Sequence, residues 1–528
     1  MRRRRLAAPV REGPGPRRPW PGFALLIVPI IAGAAMIGTP ARSTAAARTT
    51  TWTVYHGDAA GSGVASGVAS VDTAARAWTS ARVDGALYGE PLIAFGAVFI
   101  ATENNTVYAL SSRTGAVLWS RHIATPVPAS ALPCGNIAPT VGITGTPVID
   151  PSRHEIFVVA DELRDGRPAH VLVGLDTATG AVERTQPVDP PGADPAALLQ
   201  RTGLALDSGR VVFGMGGNHG DCATYRGRIA AVGERAGTPS FFTVDAAPGT
   251  SQGAVWMGGA APVIDASGNI WVAAGNGSVT SASQPYDDSD SALELTPSLQ
   301  LAGYFAPTSW PADNAHDRDM SVAPALVGGG QVVLAGKAGI AYLLNRAQPG
   351  GIGGQQARLA AMCAAGIDGG SAVVGDTVVL PCVAGPVAVR VTATPARLGI
   401  VWRARVGGGP PVIAAGLVWT IGRDGVLDGL DTASGALRQH AAIGAVANHF
   451  PTPSIGDGVL VAAGTNRVVA FRTTAARTAP DTPAATAHPA TSPAAPSRTG
   501  SSGLAWVAAT GGVILLAAIG ALIWWRRR

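Results

Sequence analysis

A short motif recurs along this chain of 528 residues: an apolar strand, a polar turn that often contains Thr and Gly, and a second strand. The clearest copies are TVYALSSRTGAVLWSRH (Thr106–His122), HVLVGLDTATGAVERTQPV (His170–Val188) and VLDGLDTASGALRQHAAIG (Val426–Gly444). Weaker copies begin at Arg228, Ser291, Ile340 and Val387, and an eighth begins at Asn466. Eight copies of about fifty residues each are typical of the four-stranded blades of a β-propeller.

The last copy is incomplete, because NRVVAF (Asn466–Phe471) is not followed by a second strand. A strand-like segment, RAWTSARVDG (Arg76–Gly85), precedes the first copy. If that segment completes the last blade, the ring closes and no sheet edge is left unpaired. The sequence therefore predicts an all-β fold, an eight-bladed propeller over residues 52–472 that is closed between its two ends.

Composition supports this fold class and limits the function. The 69 Gly and 40 Pro residues, with only 14% charged residues, exclude a helical bundle or a coiled coil. Seven Arg among residues 1–20 and three Arg at 526–528 more than account for the formal net charge of +5, so the stretch between is mildly acidic. A mildly acidic body is unsuited to nucleic acid, and we expect no nucleic-acid partner.

The N-terminal segment has the pattern of an export signal. An Arg-rich head is followed by an apolar run from Gly22 to Gly38 and by small residues through Ala47. This order predicts a signal peptide over residues 1–47, cleaved near Ala45–Ala47, or alternatively a signal anchor that stays in the membrane.

The C-terminal segment has the pattern of a membrane anchor. Residues 473–503 are rich in Pro, Ala, Thr and Ser, as in an extended stalk, and Leu504–Trp525 is uncharged and long enough to span a bilayer. The following residues, 526–528, are all Arg and should remain cytoplasmic. We therefore expect a cell-membrane protein with its propeller on the extracytoplasmic side, anchored by one C-terminal span, or by two spans if the N-terminal segment is not cleaved.

Four cysteines lie in the part of the chain that is expected to be exported. An even number in an oxidising compartment favours disulfides, and four cysteines allow three pairings. Cys363 and Cys382 are close in sequence, so we expect them to pair and leave Cys134 with Cys222 as a long-range bridge.

The repeats resemble the propeller of the pyrroloquinoline quinone (PQQ) family, which includes quinoprotein alcohol dehydrogenases and non-enzymatic assembly factors. The resemblance covers about three quarters of the chain and is sharper in three segments. GAVWMGGAAPVIDASGNIWVAAGNGS (Gly253–Ser278) is similar to the stretch with the cofactor-flooring Trp and a calcium-binding Asn. NAHDRDMSVAPAL (Asn314–Leu326) is similar to the segment of the catalytic Asp, and GKAGIAYLLNRA (Gly336–Ala347) to that of the quinone-polarising cation.

This resemblance assigns roles to four residues. Trp256 would stack under the quinone, Asn276 and Asp319 would bind calcium, and Asp319 would also remove the alcohol proton as a general base. Lys337, the only Lys of the chain, would bind the cofactor and polarise the quinone oxygens. The implied cofactors are therefore PQQ and calcium.

Two features depart from the family pattern. Ala223 follows Cys222 where the family has two adjacent cysteines, so a disulfide between neighbours is impossible. The calcium-binding Glu has no clear counterpart, since the nearby segment GMGGNHGD offers only His219 and Asp221.

Purely structural roles also suit several of these residues. Trp256 and Trp271 are compatible with packing between blades, and Asp319 with Lys337 is compatible with a structural ion pair. We expect His219 and His316 to be surface histidines or histidines with satisfied hydrogen bonds, and not metal ligands. A solvated loop is expected for Asp287, Asp288 and Asp290.

Two functions therefore stay open. The first is a non-catalytic propeller of the cell envelope that binds a protein partner or a small polar ligand at its pore face. The second is a PQQ-dependent dehydrogenase that oxidises an alcohol or a sugar. The incomplete site favours the first, because an enzyme requires its whole set of catalytic groups.

Overall fold

The structure is a computed structural model that describes residues 51–476. These residues form eight four-stranded antiparallel blades, as predicted, and we number the blades 1 to 8 by their first strands along the chain. The strands of blades 1 to 4, from the buried inner strand to the outer one, are Leu92–Ala94, Ala97–Ala101, Thr106–Ser111 and Val117–His122; Val148–Asp150, Glu155–Arg164, Arg167–Asp176 and Val182–Pro187; Ala205–Asp207, Arg210–Gly217, Arg228–Gly233 and Ser240–Thr243; Val263–Ile264, Ile270–Ala274, Ser291–Leu295 and Leu301–Ala306.

Blades 5 to 8 follow the same order, except that the outer strand of blade 8 comes from the start of the chain. Their strands are Ala325–Val327, Gln331–Gly336, Ile340–Asn345 and Ala357–Leu359; Ala372–Val374, Thr377–Leu380, Val387–Ala393 and Ala396–Arg403; Val412–Ala414, Leu417–Ile421, Val426–Asp431 and Leu437–Ala442; Ser454–Gly456, Val459–Ala463, Val468–Ala475 and Val68–Thr79.

A few short elements decorate the ring. Strand Leu198–Leu199 pairs with blade 3, strand Gly351–Ile352 runs parallel to the outer strand of blade 4, and Val127–Pro128 pairs with Thr140–Val141. The helices in residues 51–476 are the 3₁₀ turns Ala129–Ala131, Pro195–Ala197 and Met257–Gly259 and the α-helix Trp310–Ala315. None of these described helices is long and apolar enough to cross a membrane.

The ring closes as predicted, but with a different strand. Val68–Thr79 pairs antiparallel with Val468–Ala475, whereas the sequence had indicated Arg76–Gly85. Beyond Thr79 the chain still donates hydrogen bonds to residues 465–468, but at irregular intervals, while it crosses towards blade 1. The segment Arg76–Gly85 therefore contributes only its first residues to the closing strand.

The core lies between neighbouring blades, where the inner strands bury Val, Ile and Leu on both faces. Trp271 of blade 4 is fully buried in this core, so its predicted packing role is confirmed. The two disulfides are also as predicted, Cys134–Cys222 and Cys363–Cys382. The predicted signal, the anchor and nearly all of the stalk lie outside the described residues.

The antiparallel order divides the loops between two ends of the ring. At one end, the linker end, lie the connections between blades and the hairpins between second and third strands. At the other, the turn end, lie the hairpins between first and second strands and between third and fourth strands. This division follows from strand direction alone, since each strand reverses the one before it.

At the turn end, three blades are fastened to their neighbours in the same way. The indole N–H of Trp119, in the outer strand of blade 1, donates to the carbonyl of Thr177 in the turn of blade 2 (3.0 Å). A Cβ on Gly180 of that turn would lie 2.5 Å from the Trp119 ring, so only glycine lets the ring pack there. Trp78 meets Gly115 in the same way, and Trp402 meets Gly435. The TxTG-like turns thus link blades as well as strands.

A polar pocket at the linker end

A pocket of about 130 Å³ opens at the linker end near the axis of the ring. Six of the connections between blades contribute to it, together with the hairpins after the second strands of blades 3, 4 and 5. Its principal lining residues are Arg201, Trp256, Asp319, Lys337, Asp368 and Phe450. Three of the four residues assigned from the resemblance therefore meet in one place.

Trp256 is held in the linker between blades 3 and 4. It immediately precedes the 3₁₀ turn Met257–Gly259, and its ring is half-buried against the edge of blade 3. A Cβ on Gly216 would lie 2.3 Å from the indole nitrogen of Trp256, so glycine in that strand makes room for the ring. The indole N–H is buried and has no hydrogen-bond partner among the described residues.

Asp319 and Lys337 form an ion pair on this wall of the pocket. The Lys337 ammonium contacts Asp319 Oδ2 directly and lies 3.2 Å from Asp317 Oδ1. The same ammonium is 5.9 Å from the centre of the Trp256 ring, within range of a cation–π interaction. The backbone adds a bond from the Lys337 N–H to the Asp319 carbonyl (2.8 Å).

The electrostatics of the pair favour its charged form. Burial disfavours the charge on Lys337, but the carboxylates of Asp319 and Asp317 outweigh burial and raise the pKa of Lys337 above its ordinary value. Burial also raises the pKa of the Asp319 carboxyl, against the opposing effect of the Lys337 ammonium. Lys337 is therefore a protonated cation at neutral pH, with Asp319 as its counter-ion.

Asn276 reaches the site through its backbone. Its N–H donates to Asp319 Oδ1 (2.7 Å), and its side chain makes no hydrogen bond with the described residues. A Cβ on the preceding Gly275 would lie 2.6 Å from the same oxygen, so glycine lets the carboxylate approach the chain. Asn276 thus positions Asp319, and its amide is not among the lining groups of the pocket.

These contacts do not fit calcium with a quinone. Calcium takes six to eight oxygen ligands, yet both oxygens of Asp319 are already engaged, one by the Asn276 N–H and the other by the Lys337 ammonium. The nearby Asp221 accepts from the Tyr225 hydroxyl (2.7 Å), so it does not replace the missing Glu. Within residues 51–476, no group of three or more His, Cys, Asp or Glu side chains is arranged to hold a metal ion. The face of Trp256 remains suited to a flat ligand.

The vicinity of the pocket also differs from the family pattern at Cys222. This residue is bonded to Cys134, which lies two positions before the pocket residue Asn136. His219, three positions before Cys222, lines the pocket and is exposed, as expected of a surface histidine. The bridge therefore ties together two loops at the mouth of the pocket.

The other half of the pocket was not anticipated from the sequence. Arg201 comes from the linker between blades 2 and 3, Asp368 from that between blades 5 and 6, and Phe450 from that between blades 7 and 8. The one local signal is a lone Arg in the otherwise uncharged stretch Ala196–Leu206. The linkers lie outside the repeated motif, so the repeats give no register for them.

The expectation of a solvated acidic loop was wrong for two of its three residues. Asp287 is 3% exposed and Asp290 is fully buried, because the loop folds inwards under the α-helix Trp310–Ala315. Neither carboxylate oxygen of Asp290 has a hydrogen-bond partner among the described residues, and burial raises its pKa well above the ordinary value. Asp245, in the linker between blades 3 and 4, is also buried, and neither of its carboxylate oxygens has a hydrogen-bond partner within residues 51–476.

Comparison with known proteins agrees with this architecture. Residues 60–288 match the profile of the family described as outer membrane protein assembly factor BamB. No curated protein sequence matches the chain.

Among solved structures, the quinohemoprotein alcohol dehydrogenase of Comamonas testosteroni is similar with a TM-score of 0.59 at 16% identity, over 80% of each chain. Quinohemoprotein alcohol dehydrogenase ADHIIG of Pseudomonas putida HK5 gives a TM-score of 0.61 at 13% identity, over 82% of each chain. A europium-containing methanol dehydrogenase gives 0.57 at 13% identity, over 80% of this chain and 98% of its own. At such low identities the likeness concerns the fold alone.

The profile match and these structures agree with the repeats and with the eight blades. The predicted resemblance is confirmed: residues 60–288 match a family model of PQQ-like propellers, and the described residues share the propeller fold of the quinoprotein dehydrogenases.

Proposed function

We propose that this protein is a binding module of the cell envelope, whose propeller takes up a small flat molecule at the axial pocket of the linker end. One observation carries the proposal: an aromatic face, Trp256, borders a pocket in which Lys337 is already neutralised by Asp319. Such a wall suits a flat ligand that stacks on the indole ring, and this mode of binding requires no metal ion.

The same arrangement argues against catalysis as the main role. A general base must be free to accept a proton from the substrate, whereas Asp319 is engaged by an ammonium and by a backbone N–H. The match of residues 60–288 to a family named after an assembly factor supports a binding role for a propeller of this type.

The cellular placement is part of the proposal. The two disulfides of the propeller suit an oxidising compartment outside the cytoplasm. Together with the apolar run Leu504–Trp525, they support a propeller that is held on the outer side of the cell membrane. Detection of the propeller by an impermeant biotin reagent on intact cells would test this placement.

The binding proposal is tested by calorimetric titration of the full-length chain with 2-naphthoate and with its neutral amide, 2-naphthamide. At least one of them should bind with a Kd below about 1 mM, equivalent to about −4 kcal/mol. Trp256→Ala should weaken that binding at least tenfold, because it removes the stacking face. Trp119→Phe, at the turn end, is the matched control and should leave binding unchanged. Binding that survives Trp256→Ala, or no binding of either compound, contradicts the proposal.

A second candidate, a PQQ-dependent dehydrogenase, is favoured by one observation, the Lys337 ammonium above the Trp256 ring and beside Asp319. It predicts that PQQ with calcium chloride gives alcohol-dependent reduction of an artificial electron acceptor. Lys337→Ala and Asp319→Asn should each abolish this turnover while near-ultraviolet circular dichroism stays unchanged. If the acceptor is not reduced at micromolar PQQ, this candidate is excluded.

A further inference from the structure

Arg201 is a buried cation that lines the pocket at the linker end. It is 8% exposed and lies in the linker between blades 2 and 3. Its guanidinium carbon is 4.7 Å from the centre of the Phe450 ring and 5.7 Å from that of Tyr88. The two rings hold the guanidinium in one plane, as is common for arginines that stack on aromatic side chains.

The guanidinium has no hydrogen bond or ion pair with any residue in 51–476. The two acids whose charges act on it, Asp368 and Glu103, do so only through space. Asp368 lies 3.5 Å from the His449 ring nitrogen, and Glu103 accepts from the Gly142 N–H at 2.7 Å. The N–H donors of Arg201 are therefore free towards the pocket.

Leaving these donors unpaired is costly. Burying a charged group without partners is unfavourable, whereas a carboxylate can accept two parallel hydrogen bonds from the guanidinium fork. The other cation of the pocket, Lys337, is already neutralised by Asp319. An incoming anion would thus form its most favourable interaction with Arg201.

We propose that the ligand of this pocket is an organic carboxylate with a flat apolar body, whose carboxylate binds Arg201 and whose body packs against Trp256. This inference rests on the proposed binding function and names its ligand class. A monoanion is specified because Lys337 is already paired with Asp319, which leaves one guanidinium to neutralise one carboxylate.

The titration of the full-length chain with 2-naphthoate and 2-naphthamide separates this inference from the binding proposal. The carboxylate should bind at least tenfold more tightly than the amide, since only the carboxylate satisfies the fork. Equal affinities for the two compounds overturn the inference but leave the binding proposal standing. Failure of both compounds to bind overturns both.

Variants assign the preference to Arg201. Arg201→Gln should weaken 2-naphthoate at least tenfold and leave 2-naphthamide unchanged, which a merely structural role would not do. Arg201→Lys keeps the charge but loses the fork, so it should retain the fold and weaken the carboxylate by at least threefold. Arg210→Gln, which removes an ion pair with Asp207 at the turn end, should change neither affinity. If both Arg201 variants bind 2-naphthoate like the wild type, the inference is wrong.

Discussion

The two ends of the propeller are built on different principles. At the turn end, neighbouring blades repeat one contact, a tryptophan on the glycine of the next turn, at Gly115, Gly180 and Gly435. At the linker end the repeated contacts are backbone hydrogen bonds, such as those from the N–H groups of Gly275 and Lys337 to the carbonyls of Ala254 and Asp319. The connections that line the pocket supply different side chains to it. Side-chain packing is thus repeated at the turn end, which fastens the blades, whereas the side chains at the linker end vary.

The electrostatics of the two ends also differ. At the turn end, Asp176 is partly exposed and its carboxylate accepts from the Thr179 hydroxyl and N–H, which lowers its pKa. At the linker end, Asp245 is fully buried, neither of its carboxylate oxygens has a hydrogen-bond partner within residues 51–476, and burial raises its pKa to about 7. These two carboxyl groups therefore behave oppositely: Asp176 favours its charged form and Asp245 its neutral form.

The largest expected effect comes from opening the ring. Deletion of Val68–Thr79 removes the outer strand of blade 8 and Trp78 with it. We expect the cooperative thermal transition to disappear or its midpoint to fall by about 10 °C or more, because an edge strand and the blade interface are exposed. Deletion of the exposed linker-end loop 281–284 is the control and should shift the midpoint by only about 2 °C. A closing-strand deletion that melts like the wild type would contradict closure by this strand.

A smaller effect isolates the tryptophan contact. Gly180→Ala and Gly166→Ala both place a side chain at positive φ, +67° and +75°, so the backbone strain is similar. Only at Gly180 would the added Cβ strike a ring, that of Trp119, whereas nothing lies within 4 Å at Gly166. Gly180→Ala should therefore lower the free energy of unfolding by about 2 kcal/mol more than Gly166→Ala, measured by chemical denaturation. Equal losses would mean that the turn does not fasten the blades.

A third effect, of similar size for Asp245 and smaller for Asp176, is a pH dependence of opposite sign for these two carboxyl groups. The folded pKa of Asp245 is above its unfolded value near 4, so its contribution to stability is full below that value and is lost as the pH rises through about 7. Asp245→Asn should therefore stabilise the fold at pH 8, by about 2 kcal/mol, and have little effect at pH 4. Asp287 and Arg226 are the charged groups that act on this carboxyl and should be kept.

Asp176→Asn tests the other sign. Its folded pKa is lowered, so its contribution is present above the unfolded value and is lost as the pH falls. This variant should be slightly less stable than the wild type at pH 7 and equal to it near pH 2, as followed by denaturant midpoints. The same pH response in both variants would contradict the proposed difference between the two ends.

The ring of blades can be predicted from the sequence. Strand, turn and strand are encoded by residues a few positions apart, so eight copies of the motif predicted eight blades, and the incomplete last copy predicted closure from the front of the chain. The disulfide pairs also followed from the number and spacing of the cysteines. The bounds of the closing strand did not follow from the sequence. Its bulges and the point where it ends depend on how the chain crosses to blade 1.

The composition of the pocket, by contrast, depends on how the blades pack in three dimensions. The resemblance placed Trp256, Asp319 and Lys337 near one another, but it could not reveal that Lys337 occupies the carboxylate that calcium would need. Arg201 and Phe450 are far apart in the chain, and they meet because closure of the ring brings the linkers of distant blades to one axis. Local patterns encode contacts within a blade, whereas contacts across the axis exist only once all eight blades have closed.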